Sequence, residues 1–233
     1  MNSIDEFEKS IGVNFKDKIL IETVFTHRSY LNEHRNLEHD HNERLEFLGD
    51  AVLELCVTQY LFENFDKAEG IMTNWRSALV KGESLSLEAK KIGINELIKT
   101  SRGEAKNTGK ARDLILANAF EALLGAIYMD KGYQITYKFV EKYIIYKLKN
   151  IIDNGLDYDP KSKFQELSQD ELGITPSYEE VKSEGPDHNK EFTVSAYLDN
   201  EKVGTGKGRS KQNAQTAAAK TALEKWDEIK KSF

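Results

Sequence analysis

Cysteine, proline and long apolar runs are scarce in this 233-residue chain, and each scarcity excludes something. The single cysteine, Cys56, allows no internal disulfide and no cysteine-based zinc site. It points to a reducing, cytoplasmic setting. No apolar stretch approaches the roughly 18 residues of a membrane span, so no membrane partner is expected. The start of the chain, Ser3-Ile4-Asp5-Glu6-Phe7-Glu8, is mixed and acidic, unlike a secretory signal. A basic excess is missing too: the net charge is −6, which taken alone argues against a nucleic-acid partner. That average conceals a local basic patch near the C-terminus.

The three prolines, Pro160, Pro176 and Pro186, all fall in the last 74 residues. The 159 residues before them read as successive helices. Ser3 and Glu6 have the spacing of a capping box ahead of Phe7 and Ile11. Leu20, Ile21, Val24 and Phe25 mark a second helix, residues 43–65 a long one, and residues 72–93 a helical stretch interrupted near Gly82. Residues 101–111 are polar and glycine-bearing, hence a loop. Residues 112–130 and 134–152 predict two further helices. A linker over 153–159 then separates a helical domain, 1–152, from a second domain, 160–230. In that second domain residues 161–169 predict a helix, and Phe192, Val194, Ala196 and Leu198 alternate with polar neighbours as in a strand. A short strand near Glu201–Val203 follows. From Ser210 the chain is helical again, with Ala214, Ala218 and Ala222 four apart, small enough to lie close on a sheet. The expected fold is mainly α for the first domain and an α-β-β-β-α arrangement for the second.

The most informative segment is Asn42-Glu43-Arg44-Leu45-Glu46-Phe47-Leu48-Gly49-Asp50-Ala51-Val52-Leu53. Glu43, Glu46 and Asp50 share one helical face, yet Glu46 and Asp50 stand among apolar residues, where unpaired carboxylates are costly. Either the stripe is solvated, with Arg44 nearby, or a divalent cation compensates it. A second segment, Leu114 to Ala126, carries only two polar residues, Asn118 and Glu121, three apart. A carboxylate in the middle of so apolar a run is hard to explain as surface. Two helices presenting oxygen ligands and neither His nor Cys suit Mg²⁺, with Mn²⁺ able to substitute. Such a site suits phosphoryl-transfer chemistry, phosphodiester hydrolysis above all.

The run Asn42–Leu53 closely resembles the signature of the ribonuclease III family. His27-Arg28-Ser29-Tyr30 before it and Glu121-Ala122-Leu123-Leu124-Gly125-Ala126 after it agree, and the similarity extends over essentially the whole chain. The resemblance implies a helical endonuclease domain that cuts double-stranded RNA to 5′-phosphate and 3′-hydroxyl ends with a two-nucleotide 3′ overhang, in the processing of rRNA and mRNA precursors. It implies that Asp50 and Glu121 are catalytic, that Glu46, Asp50, Asn118 and Glu121 hold the metal, and that Glu43 and Glu69 line the same acidic valley. It further implies a homodimer, with Phe47 plugging a pocket on the other subunit. One position departs from the pattern: the family has Asp where this chain has Asn118. An amide oxygen can ligate a cation but brings no charge, so lowered activity is expected.

The C-terminal segment Gly204-Thr205-Gly206-Lys207-Gly208-Arg209-Ser210-Lys211 reads as a glycine-rich loop leading into a helix. It is either a tight turn or a place where backbone and helix N-terminus approach phosphate. Residues 202–211 hold four basic residues and no acid. The whole domain resembles a double-stranded RNA-binding domain, a module that reads A-form shape. Lys161 to Glu166 matches its first helix, Gly185-Pro186-Asp187-His188 its first inter-strand loop, and the Lys211 region its third contact. The resemblance implies that Gln165, Glu166 and His188 touch the minor groove and that Arg209, Ser210 and Lys211 grip phosphates. Gln212 stands where a second lysine is usual.

Other features carry less. His34, His39 and His41 lie in a polar stretch that reads as a solvated loop, despite the likeness of His39-Asp40 to the metal pair of HD-type phosphohydrolases. Cys56, Trp75 and Trp226 read as packing residues, and the aromatic helix Tyr133–Tyr146 as core and scaffold. The rival to an endoribonuclease is a non-catalytic or weakened double-stranded RNA-binding protein, favoured only by Asn118.

Overall fold

The computed structural model describes residues 3–34, 37–186 and 190–233. The chain divides into two compact units, Met1–Asp157 and Tyr158–Phe233. In the first unit the helices are α1 (Ile4–Ile11), α2 (Lys18–Val24), α3 (Arg28–Glu33), α4 (Glu43–Asn64), α5 (Glu69–Val80), α6 (Gly82–Lys91), α7 (Ile94–Leu97), α8 (Gly109–Lys131), α9 (Tyr133–Tyr143) and α10 (Leu148–Asp153). Ser3 caps α1 by accepting from the Glu6 amide, while Gly12 ends it in the left-handed region at φ 74°. The interruption expected near Gly82 falls between α5 and α6. The expected loop over 101–111 is shorter than foreseen, because α8 already begins at Gly109. The expected helix over 134–152 is broken by a 3₁₀ turn at Ile145–Lys147.

The centre of this unit is α8. Eleven of its residues between Ile115 and Ile127 are buried, as befits a helix that is apolar nearly all round. Against it lie Phe7, Phe25, Leu53, Cys56 and Leu79, all at most 1% exposed. Cys56 is a packing residue, as expected: burial pushes its thiol up to about 11, far from a reactive thiolate. Trp75 and Trp226 are also buried. The histidine reading needs correction at one residue. The His39 side chain is only 5% exposed, with its Nε2 3.7 Å from Glu22, so it is tucked in rather than solvated.

The second unit holds α11 (Pro160–Leu172), an antiparallel sheet of β1 (Ser177–Glu184), β2 (Glu191–Leu198) and β3 (Glu201–Gly208) in that order, then α12 (Lys211–Glu224) and α13 (Trp226–Ile229). Asp159, assigned to the linker from sequence, caps α11 by accepting from the Ser162 amide. Phe164 and Trp226 meet edge to face at 5.9 Å in the core of the unit.

The glycine-rich stretch differs from the sequence expectation. Gly204, Gly206 and Gly208 are not a loop but alternate residues of β3, all facing α12. A Cβ at Gly208 would come within 2.6 Å of the Ala214 nitrogen, and one at Gly204 or Gly206 would overlap the backbone of Ala218. Ala214, Ala218 and Ala222 are wholly buried opposite them. The glycines therefore let a helix seat on a strand, and the tight-turn and phosphate-approach readings both fail for them. β3 correspondingly runs to Gly208 rather than stopping near Val203.

Candidate active site and nucleic-acid interface

Two glycines build the first site. A side chain at Gly49 would overlap the Glu121 carbonyl and come within 2.9 Å of the Gly125 nitrogen, and one at Gly125 would overlap the Leu45 carbonyl. The backbones of α4 and α8 therefore touch where they cross. That contact brings Glu46 and Asp50, flanking Gly49, against Asn118 and Glu121, flanking the same point on α8.

The electrostatics record the crowding. Burial, reinforced by Asp50 and then Glu46, pushes the Glu121 carboxyl up to about 7. Glu46 is also raised, by burial first, then by Glu43 and Asp50. Opposing this, the Asn118 amide lies close enough to lower the Glu46 pKa in part. Glu43 belongs to the cluster and also pairs with Arg28, Nη1 to Oε1 3.4 Å. Glu69 does not join it within one chain. It opens α5, accepts from the Thr73 hydroxyl, and shares a surface hollow with Thr58, Leu61 and Phe62, two turns or more beyond Asp50 on α4.

Among the described residues no three His, Cys, Asp or Glu side chains are placed so as to hold a metal ion together. An open site is what Mg²⁺ usually occupies, since it takes one or two carboxylates and completes its shell with water and phosphate oxygens. The donor set fits: three carboxylates and an amide, all oxygen-bearing, with burial raising one carboxyl toward neutrality.

Phe47, adjacent to Glu46, points away from the core and is 82% exposed. Ala51, Leu55, Thr58 and Phe62 continue the same exposed face of α4 at spacings of three and four. Leu55 and Phe62 are large apolar residues left in solvent.

In the second unit Gln165 and Glu166 lie exposed on α11, with Glu166 3.5 Å from Lys163. Arg209, Ser210 and Lys211 are exposed at the start of α12. Ser210 is its cap, its hydroxyl oxygen accepting from the Asn213 amide. His188 lies outside the described residues. The sequence reading missed the partner of Lys211: Glu180, on β1, sits with its carboxylate 2.8 Å from the lysine Nζ.

Known proteins match both units. A ribonuclease-III-like family model matches residues 17–148, and a double-stranded RNA binding motif model matches residues 160–226. The protein named Ribonuclease 3 of Streptococcus gordonii is 45% identical over 216 residues, covering 92% of each chain. That of Nitratiruptor sp. is 43% identical over 224 residues, covering 96% of each. The solved nuclease domain of ribonuclease III from Campylobacter jejuni, whose structure is described for flexibility in a region involved in dimer formation, is 38% identical with a TM-score of 0.54. It covers 60% of this chain and 98% of that one. This chain belongs to the ribonuclease III family.

Proposed function

We propose that the chain is an endoribonuclease that hydrolyses phosphodiesters of double-stranded RNA in the processing of rRNA and mRNA precursors, and that Glu46, Asp50, Asn118 and Glu121 form its metal-dependent centre. One observation carries the reading: three carboxylates crowd an apolar helix crossing that only two glycines permit. A merely dimerising helical domain has no use for that arrangement. Mg²⁺, for which Mn²⁺ can substitute, would neutralise charge on the scissile phosphate and favour attack by water, leaving 5′-phosphate and 3′-hydroxyl ends. The residues around it have their own tasks. Asp50, the most exposed of the three, faces the incoming backbone. Glu121 is kept half-neutral by its neighbours until a cation is present. Asn118 offers its amide oxygen to the cation beside Glu46. Glu43 and Glu69 extend the acidic surface, the latter at a distance within one chain.

The second unit supplies affinity. Gln165, Glu166 and His188 contact the minor groove, and Arg209, Ser210 and Lys211 the phosphates. Two copies of the chain pair through the apolar face of α4, with Phe47 at the interface, in the cytoplasm. Glu121→Gln or Asp50→Asn should abolish cleavage of a labelled duplex in Mg²⁺ by at least two orders of magnitude while leaving duplex affinity within about twofold. Equal loss of binding and cleavage in a folded variant would defeat this division of labour.

A further inference from the structure

The basic residue at the head of α12 is not free. Lys211 Nζ lies 2.8 Å from Glu180, whose side chain is 34% exposed. Glu180 is well placed to reach it. In β1, Tyr178 packs into the core beneath the helices, and Glu180, two residues on, lies on that same helix-facing side. The pairing register of β1 shifts just after it, between Glu180 and Lys182. Its carboxylate thus comes to the N-terminal end of a 14-residue helix, where a negative charge is favoured by the helix dipole as well as by the lysine. An RNA phosphate at this spot would use the same two attractions.

We propose that Glu180 is an intramolecular stand-in for phosphate, occupying Lys211 in the free protein and setting the affinity for duplex RNA. The inference rests on the reading of Lys211 as a phosphate contact. Binding must first break the Glu180–Lys211 pair and then hold the liberated carboxylate near phosphate. Both effects weaken binding. They also lower its salt dependence, because the cation released from the phosphate is partly offset by one taken up by the freed carboxylate. The second unit as a whole has more acidic than basic residues, so such pairing is how it keeps its few basic contacts from binding indiscriminately.

The test is fluorescence anisotropy of a labelled duplex with the full-length chain in EDTA, which prevents cleavage, across a potassium chloride series. Glu180→Gln should tighten binding about two- to fivefold at low salt, the scale of an exposed ion pair. It should also steepen the log–log salt slope by up to about one. Glu179→Gln makes the same change of net charge on the opposite face of the strand and should do distinctly less. In a Lys211→Ala background most of the gain from Glu180→Gln should vanish. If Glu180→Gln weakens binding, or leaves affinity and slope unchanged while Lys211→Ala weakens it, Glu180 does not compete and the proposal is overturned. If Lys211→Ala itself leaves binding intact, the reading of Lys211 as a phosphate contact fails first. Circular dichroism separates either outcome from unfolding, and Glu180→Ser provides a second uncharged variant should the glutamine fold poorly.

Discussion

At the scale of single residues, the amide of Asn118 decides how the acidic centre behaves with and without metal. It lies beside Glu46 and offers the cation a neutral oxygen. An aspartate there adds a fourth negative charge beside a carboxyl already raised to about 7. Asn118→Asp should therefore lower the Mg²⁺ concentration for half-maximal cleavage severalfold, since one more charge strengthens attraction for the cation. In EDTA the same variant should melt a few degrees below the present chain, because about 1 kcal/mol of added repulsion moves a domain of this size by about 2–4 °C. Asn118→Ala supplies neither oxygen nor N–H and should need the most metal of the three. Identical metal titrations for asparagine and alanine would remove residue 118 from the centre. This opposition of metal affinity and metal-free stability was not legible in the sequence: the spacing of Asn118 and Glu121 puts them on one face, but does not show how closely α8 approaches α4 there.

At the scale of elements, the sequence was legible wherever a helix has one strong apolar face. The Ser3 cap, the break at Gly82 and the central burial of α8 follow from spacing and composition. It was less legible where one element is shaped by another. β1 alternates poorly, with six of its eight residues exposed, because it is an edge strand with little of its own to bury. The glycines of β3 look like a loop in one dimension, and only the helix lying on them shows their purpose. Gly206→Ala should therefore unfold or severely destabilise the second unit, by roughly 3 kcal/mol or more, since the methyl meets backbone and cannot be relieved by a rotamer. Cleavage-site residues would be untouched, so duplex affinity should fall with the melting of that unit. Wild-type affinity in Gly206→Ala would show that α12 can lift without cost.

Another junction of elements predicts a response to acid. Asp130, near the end of α8, accepts from the Lys16 and Asp17 amides at 3.0 Å each and pairs with Lys131 at 2.8 Å. Burial alone would raise its pKa, but these partners outweigh it and bring the carboxyl down to about 2. A carboxyl depressed in the folded state stabilises fully above its unfolded pKa, near 4. That contribution fades as the pH falls from about 4 to 2. Asp130→Ala should cost about 1–3 kcal/mol at neutral pH by removing the charged acceptor of two backbone N–H groups, and the difference from the parent chain should shrink below pH 4 in urea titrations. A difference independent of pH would mean that packing, not charge, holds this junction.

At the scale of the whole molecule, the exposed face of α4 ties assembly to catalysis. Phe47 at 82%, Phe62 at 78% and Leu55 at 55% exposure form an apolar stripe along one helix, the kind of patch that marks an association surface. Glu46 directly precedes Phe47, and Asp50 follows within one turn, on the same helix. In a two-fold dimer every contact occurs twice. Losing two buried phenylalanines then costs roughly 3–6 kcal/mol of association, a hundredfold or more in the dissociation constant. Replacing them with carboxylates adds the penalty of burying charge. Phe47→Asp should accordingly sediment as a monomer at micromolar concentrations where the parent chain is a dimer. It should lose cleavage by at least tenfold and still bind duplex RNA through the second unit. Phe62→Asp, fifteen residues along the same face and away from Glu46, Asp50 and Glu121, though beside Glu69, separates assembly from the metal centre as the cause of any lost activity. If it also gives a monomer and also loses cleavage, assembly is required. If it gives an active monomer, Phe47→Asp acts through its neighbours in the acidic centre. A parent chain that sediments as a monomer at micromolar concentration would leave the apolar stripe without its partner and defeat the dimer reading altogether.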